Sequence, residues 1–368
     1  MLSIILTKKR MGIEMEKNFR KIAVLTSGGD APGMNAAVRA VVNCAQSRGV
    51  EVYGLMRGYS GLLEDDMKIL SARDVANIAG LGGTVLYSDR CLRFKTPEGM
   101  ADALKNCEKN QIDGIVAIGG DGTFRGATDL SNHGIPTIGI PGTIDNDITS
   151  TDYSIGFDTA MNTVLEMADR LRDTCESHAR CNVIEVMGRG AGDIALLTGI
   201  ASGAVATVIP EKEFDEAAAI EKIKTMKANG QRSFIVIVAE GVENFSEGFA
   251  KRIQEQTGVE TKFARLAHVV RGGNPTLRDR VAAAQMGEAA VNELFKGNSN
   301  LVVCEQKGEI VTVNIQYALA LDKMYKNKLK DGDLDAFSEE QIAEMKAFCE
   351  EKRKYFDMMY KIADDVTK

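Results

Sequence analysis

No apolar run in this 368-residue chain approaches the roughly 20 residues a membrane-spanning helix needs. A membrane partner is therefore not expected. Leu2-Ser3-Ile4-Ile5-Leu6 is too short for the apolar region of a signal peptide and runs into Lys8-Lys9-Arg10. Only six prolines occur, and no Pro/Ser-rich stretch, internal repeat or low-complexity segment marks a linker. The seven cysteines are odd in number, and none are spaced Cys-x-x-Cys. Reduced thiols in the cytoplasm fit that usage best. Cys175-x-x-His178-x-x-Cys181 supplies only three metal ligands with no partner cluster, and reads as helix-to-strand packing. Positive charge is also in deficit. The net charge of −7 and pI near 5.3 argue against a nucleic-acid partner. A polyanionic substrate must then be met by local basic residues. Finally, there is no Gly-x-x-x-x-Gly-Lys-Ser/Thr, which excludes a P-loop kinase.

What is present is an α/β pattern. Short apolar runs at 21–25, 51–55, 114–118, 136–140, 182–186, 206–209, 234–239 and 301–304 read as strands. They alternate with amphipathic segments at 34–46, 158–172, 215–228 and 278–295, which read as helices. Alternation of this kind predicts mostly parallel sheets with helices on both faces. The length allows two such domains.

Two turns follow neighbouring strands: Gly119-Gly120-Asp121-Gly122-Thr123, and Pro141-Gly142-Thr143-Ile144-Asp145-Asn146-Asp147. Glycines at a strand end let backbone N–H groups approach phosphate oxygens. The carboxylates beside them suit Mg²⁺, directly or through water, and can take a proton from a hydroxyl. Together these parts suit phosphoryl transfer. From the residues alone, Asp145 is the candidate base. An Asx-turn role is equally open to it, to Asn146 and to Asp147. Asp121 reads as a metal acid, or as the N-cap of a helix starting near Gly122.

Leu25-Thr26-Ser27-Gly28-Gly29-Asp30-Ala31-Pro32-Gly33-Met34-Asn35 resembles the opening of bacterial-type, ATP-dependent 6-phosphofructokinases. The two turns above resemble that family's nucleotide and catalytic loops. Glu185-Val186-Met187-Gly188-Arg189 and His268-Val269-Val270-Arg271-Gly272-Gly273 resemble its two sugar-phosphate loops. The five segments stand in family order over roughly 20–330. A Gly-Gly-Asp-Gly turn alone is shared with NAD and lipid kinases, but the sugar-phosphate loops separate this chain from them.

The resemblance implies two Rossmann-like three-layer lobes that exchange chain. The larger, ATP-binding lobe is expected at 20–156 plus 270–320, and the smaller, sugar-phosphate lobe at 157–269 plus 321–368. Residues 1–19 are expected as a leader, disordered or a short extension. The implied reaction is transfer from Mg²⁺-ATP to the 1-hydroxyl of fructose 6-phosphate. Asp145 is the implied base, with Thr143, Asp147 and Arg189 catalytic beside it. Gly28, Arg90, Cys91, Gly120, Asp121, Gly122 and Thr123 would face the nucleotide, with Asp121 on the metal. Thr143, Asp145, Met187, Gly188, Arg189, Glu240, His268 and Arg271 would face the sugar phosphate. Arg180 and Lys262 match positions that reach it from a neighbouring subunit, which implies a homo-oligomer, a tetramer by analogy, with shared sites. Lys262 departs from the usual arginine and loses the planar fork. If 262–265 is extended, Arg265 points to the opposite face and is no substitute. Pyrophosphate-using relatives carry Asp in place of Gly122 and Lys in place of Gly142, so two glycines imply ATP. The rival readings are a pyrophosphate-dependent enzyme, and a non-catalytic sugar-phosphate sensor on the same fold.

Beyond 330, Ser338-Glu339-Glu340-Gln341 has the form of a capping box. Ile342, Met345, Phe348, Met359, Tyr360 and Ile362 suggest an apolar stripe. Packing on the same subunit and contact with another remain open.

Overall fold

The computed structural model describes residues 19–366. Most of the expected leader lies outside them, but its last residue, Phe19, is buried and its ring lies 5.5 Å from that of Phe295. That residue is therefore core.

Two sheets organise the chain. In the larger, β1 (Lys21–Ser27) lies between β4 (Gly114–Gly119) and β2 (Glu51–Leu55), with β5 (Thr137–Pro141) beyond β4 and β3 (Met67–Leu70) beyond β2. On the far side of β5 come β10 (Leu301–Gln306) and β11 (Glu309–Asn314). The strands β2, β1, β4, β5 and β10 run parallel, while β3 and β11 run antiparallel at the two edges. The smaller sheet is all parallel, in the order β7 (Ala206–Val208), β8 (Phe234–Ala239), β6 (Arg180–Val186), β9 (Glu260–Arg265). Every residue of β4, β5 and β8 is buried, as parallel strands covered on both faces require.

The strands read from apolar runs are all present. β3, β9 and β11 do not show as apolar runs, because as edge strands they carry polar residues where central strands carry apolar ones.

Helices cover both faces of each sheet. α1 (Met34–Gln46) packs on α9 (Leu277–Phe295), and α5 (Phe157–His178) on α6 (Asp193–Ser202). These four share one continuous core with the inner faces of both sheets. α2 (Tyr59–Glu64), α3 (Pro97–Asn110) and α4 (Asp121–Asn132) cover the outer face of the larger sheet. α7 (Glu216–Ala228) and α8 (Ser246–Thr257) cover the smaller. α5 outruns the expected 158–172 because its apolar stripe continues to Cys175 and the chain turns only at left-handed Ala179. Cys175 and Cys181 are both buried in packing.

The chain passes from the larger lobe into α5 at Gly156. There the fully buried carboxylate of Asp279 accepts bonds from the Tyr153 hydroxyl and from the amides of Gly156 and Thr159.

α10 (Ile315–Tyr325) runs across the expected division at 320. Ser338 and Gln341 form the expected capping box of α11 (Glu339–Asp365). α11 packs against both α10 and α6, so it touches both lobes of its own chain. Met345 is buried as expected, but the other buried positions are Cys349, Phe356 and Ala363. Ile342 and Phe348 pack partly buried beside α10, and Met359 and Tyr360 against the central core.

Candidate active site

The larger sheet's order reverses between β1 and β4. Loops leaving their carboxyl ends therefore part, opening the kind of crevice in which α/β sheets bind ligands. Gly28 stands there at φ +89°, a conformation that costs glycine nothing. The Ser88 hydroxyl donates to its carbonyl at 2.6 Å, and the Gly28 amide donates to Asp89. The segment with Arg90 and Cys91 thus lies alongside, with Arg90 exposed. The Thr123 hydroxyl donates to the Ser27 carbonyl at 3.1 Å, so this side chain ties the two loops together. At Gly120 and Gly122 no atom lies within 4 Å of where a Cβ would stand, leaving the backbone open to a ligand.

Gly120, not Asp121, is the N-cap of α4. The helix begins one residue earlier than read, and the capping role for Asp121 falls. Its carboxylate instead pairs with Arg125 at 3.0 Å. It also lines a cavity of about 970 Å³ shared with Asp147, Arg189 and Lys326. Mg²⁺ characteristically takes one or two carboxylates plus phosphate and water oxygens. Asp121 and Asp147, hard oxygen donors on one cavity wall, fit that demand.

Asp145 lies on the turn after β5 and is only 2% exposed. Its backbone N–H donates to the Thr143 hydroxyl, and the Ser154 hydroxyl donates to the Thr143 carbonyl and to Asn146. Asn146 also bonds Asp193, the first residue of α6, which joins this turn to the smaller lobe. Asp145 Oδ1 is buried with no hydrogen-bond partner. Burial, then the neighbouring charge of Asp147, raise its pKa to about 6, while Arg271 and Arg189 pull it down. Both guanidiniums stand 3.9 Å from the carboxylate. Arg189 is also 3.8 Å from Asp147.

The smaller sheet aims its carboxyl ends at the same point. Met187, Gly188 and Arg189 follow β6, and Glu240 follows β8. Glu240 Oε1 accepts from the amides of Gly188 (3.3 Å) and Arg189 (2.9 Å). It neither caps a helix nor stands free. His268 and Arg271 share a short 3₁₀ turn, with His268 exposed. Arg271 reaches across to the Asp30 carbonyl at 3.3 Å. A side chain at Gly29 would start 2.8 Å from that guanidinium, so glycine is what lets Arg271 pass.

Arg180 and Lys262 do not join this group. They sit in the first halves of β6 and β9, the end of the sheet opposite Arg189. Both pair with Glu260, at 2.7 and 2.9 Å. Residues 260–265 are a strand, as supposed, and Arg265 turns to Glu185 instead.

Sequence reasoning missed Asp193, Asp322 and Lys326. Lys326 donates to the Asp147 carbonyl at 2.7 Å and lies 3.4 Å from its carboxylate. No motif surrounds it, only a lysine-rich stretch that reads as solvated surface.

The Phosphofructokinase family profile matches residues 21–294. A curated ATP-dependent 6-phosphofructokinase of Clostridium botulinum (strain Loch Maree / Type A3) is 48% identical over 312 residues, covering 85% of this chain and 98% of that protein. Another, from Brevibacillus brevis, is 50% identical over 301 residues, covering 82% and 94%. Among solved structures, phosphofructokinase of Saccharomyces cerevisiae superposes with a TM-score of 0.79 at 32% identity, covering 89% of this chain and 50% of that one. A pyrophosphate-dependent phosphofructokinase of Marinobacter aquaeolei shares the fold, with a TM-score of 0.70 at 22% identity, covering 81% and 83%.

Proposed function

Because this chain belongs to the phosphofructokinase family, we propose that it is an ATP-dependent 6-phosphofructokinase, making fructose 1,6-bisphosphate from fructose 6-phosphate. The observation that carries the mechanism is the buried, unpartnered Oδ1 of Asp145 beside two arginines. A buried oxygen without a donor is costly, and a substrate hydroxyl would satisfy it.

In this reading the sugar's C1 hydroxyl donates to Asp145. Its proton passes to the carboxylate as the oxygen attacks the γ-phosphorus. Thr143 orients the hydroxyl, and Arg189, half exposed, meets the charge on the moving phosphoryl group. Met187, Gly188 and Glu240 hold the sugar, and His268 and Arg271 its 6-phosphate. Gly28, Arg90, Cys91, Gly120, Gly122 and Thr123 border the nucleotide. Asp121, with Asp147 supporting it, would hold Mg²⁺, which when bound neutralises phosphate charge.

A coupled assay with fructose 6-phosphate tests the reading. Turnover with ATP should exceed that with pyrophosphate; equal or faster pyrophosphate turnover would overturn it.

We also read the protein as a cytoplasmic homo-oligomer, a tetramer in which Arg180 and Lys262 serve the neighbouring subunit's sugar-phosphate site. No described helix is long and apolar enough to cross a membrane. The reading is supported by where the two cations sit, at the end of the sheet opposite Arg189, with each paired to partly exposed Glu260. Charge-assisted bonds are worth about 1.5–3 kcal/mol, so Arg180→Ala should raise the sugar-phosphate KM about tenfold or more. The KM for ATP should barely move. A fully active monomer would sink the shared site.

A further inference from the structure

Three charged side chains from α10 and α11 grip the chain just past Asp145. Lys326, at the end of α10, donates to the Asp147 carbonyl. One helical turn earlier, buried Asp322 accepts from the Thr149 amide (3.3 Å) and hydroxyl (2.8 Å). It also pairs with Lys326 at 3.0 Å. Lys352, on α11, donates to the carbonyls of Thr149 and Thr151 at 3.3 Å each. Charged partners make the stronger hydrogen bonds, and a buried network is costly to leave half made.

The same pair of helices is anchored on the smaller lobe. α11 packs on α6, buries Phe356 and pairs Asp357 with Lys212 at 2.5 Å. The hairpin therefore touches the base-bearing turn with one part and the sugar-side lobe with another.

Lys326 has a second effect. Arg189 stands almost equally far from Asp145 and Asp147, at 3.9 and 3.8 Å. The Lys326 ammonium lies 3.4 Å from the Asp147 carboxylate. It offsets that charge, so Asp147 holds Arg189 less strongly.

We propose that the α10–α11 hairpin is a positioning element of the phosphoryl-transfer site, with Lys326 its principal residue. It fixes the Asp145–Asp147 turn and leaves Arg189 free to follow the transferring group. The inference rests on the kinase reading above. Ground-state binding does not need that freedom, and transfer does, so the effect falls on kcat.

The test compares wild type, Lys326→Met, Lys326→Arg and Lys352→Gln, each at a temperature where circular dichroism shows it folded. Misplacing a reacting group by an ångström costs up to about 100-fold, so Lys326→Met should lose about tenfold or more in kcat with both KM values within about threefold. Lys326→Arg, which still donates and carries charge, should recover most of that loss. If Lys326→Met does not fold, Lys352→Gln decides by the same split. Unchanged kcat in the folded variants, or a loss confined to KM, overturns the hairpin's role. Wild type that fails to phosphorylate fructose 6-phosphate would instead sink the kinase reading.

Discussion

Replacing Asp145 by asparagine should lower kcat by about 10²–10⁴-fold, the range a positioned base contributes. The amide has nearly the same shape but cannot take the hydroxyl proton. Sugar-phosphate affinity should largely survive, since the amide oxygen can still accept from the C1 hydroxyl and the residues assigned to the 6-phosphate are elsewhere. A sugar-phosphate sensor would keep its output in this variant; a kinase would not. The wild-type pH profile carries the same information. The base must be ionised to act, and its pKa is raised to about 6. kcat/KM should therefore fall as pH drops through about 6, and that limb should vanish in the variant's residual activity. Stability should move the other way. The raised pKa means the folded state holds this proton more tightly than the unfolded chain does. The ionised carboxylate thus costs folding energy in full above about 6; the cost shrinks as pH falls from about 6 to about 4 and is gone below that. Asp145→Asn should melt no lower than wild type at neutral pH. Activity within about tenfold of wild type would remove Asp145 from the base role.

Gly122→Asp should cost about 100-fold or more in kcat/KM for ATP, because like charges brought together in a binding site cost several kcal/mol. The fold should not suffer. No atom crowds the missing Cβ, and an aspartate in the first turn suits the helix dipole. The change therefore isolates a clash with the nucleotide. Gly142 is a different case: a Cβ there would meet Ile118 and Met34 at 3.1 and 3.2 Å, so lysine requires the core to move. Thermal melts alongside donor kinetics with ATP and pyrophosphate check the pair of claims. An unchanged KM and kcat for ATP in Gly122→Asp would show that this glycine does not face the nucleotide.

Buried elements were the legible ones. β4 and β8 carry unbroken apolar runs because both faces are covered, and α1 shows its period plainly. The edge strands β3 and β11 were hidden because one side of each meets solvent. At the site, glycine and carboxylate spacing pointed to the turns after β4 and β5. It did not reveal how the turn is held. Asp322 and Lys326 are far from Asp145 in sequence and meet it only through folding. Nor did it show that the Glu240 carboxylate lies on two backbone amides.

The crossing of the chain between lobes sets an order of assembly. The smaller sheet draws all four strands from one uninterrupted stretch, 180–265. The larger sheet leaves β5 unpaired on one side until β10 has been made, and β10 follows everything in the smaller lobe. During synthesis the insert can close on itself while its host still exposes a long apolar edge. Non-local pairing of that kind is slow and prone to association. The vulnerable species is a nascent chain that has passed residue 265 and not yet reached 306.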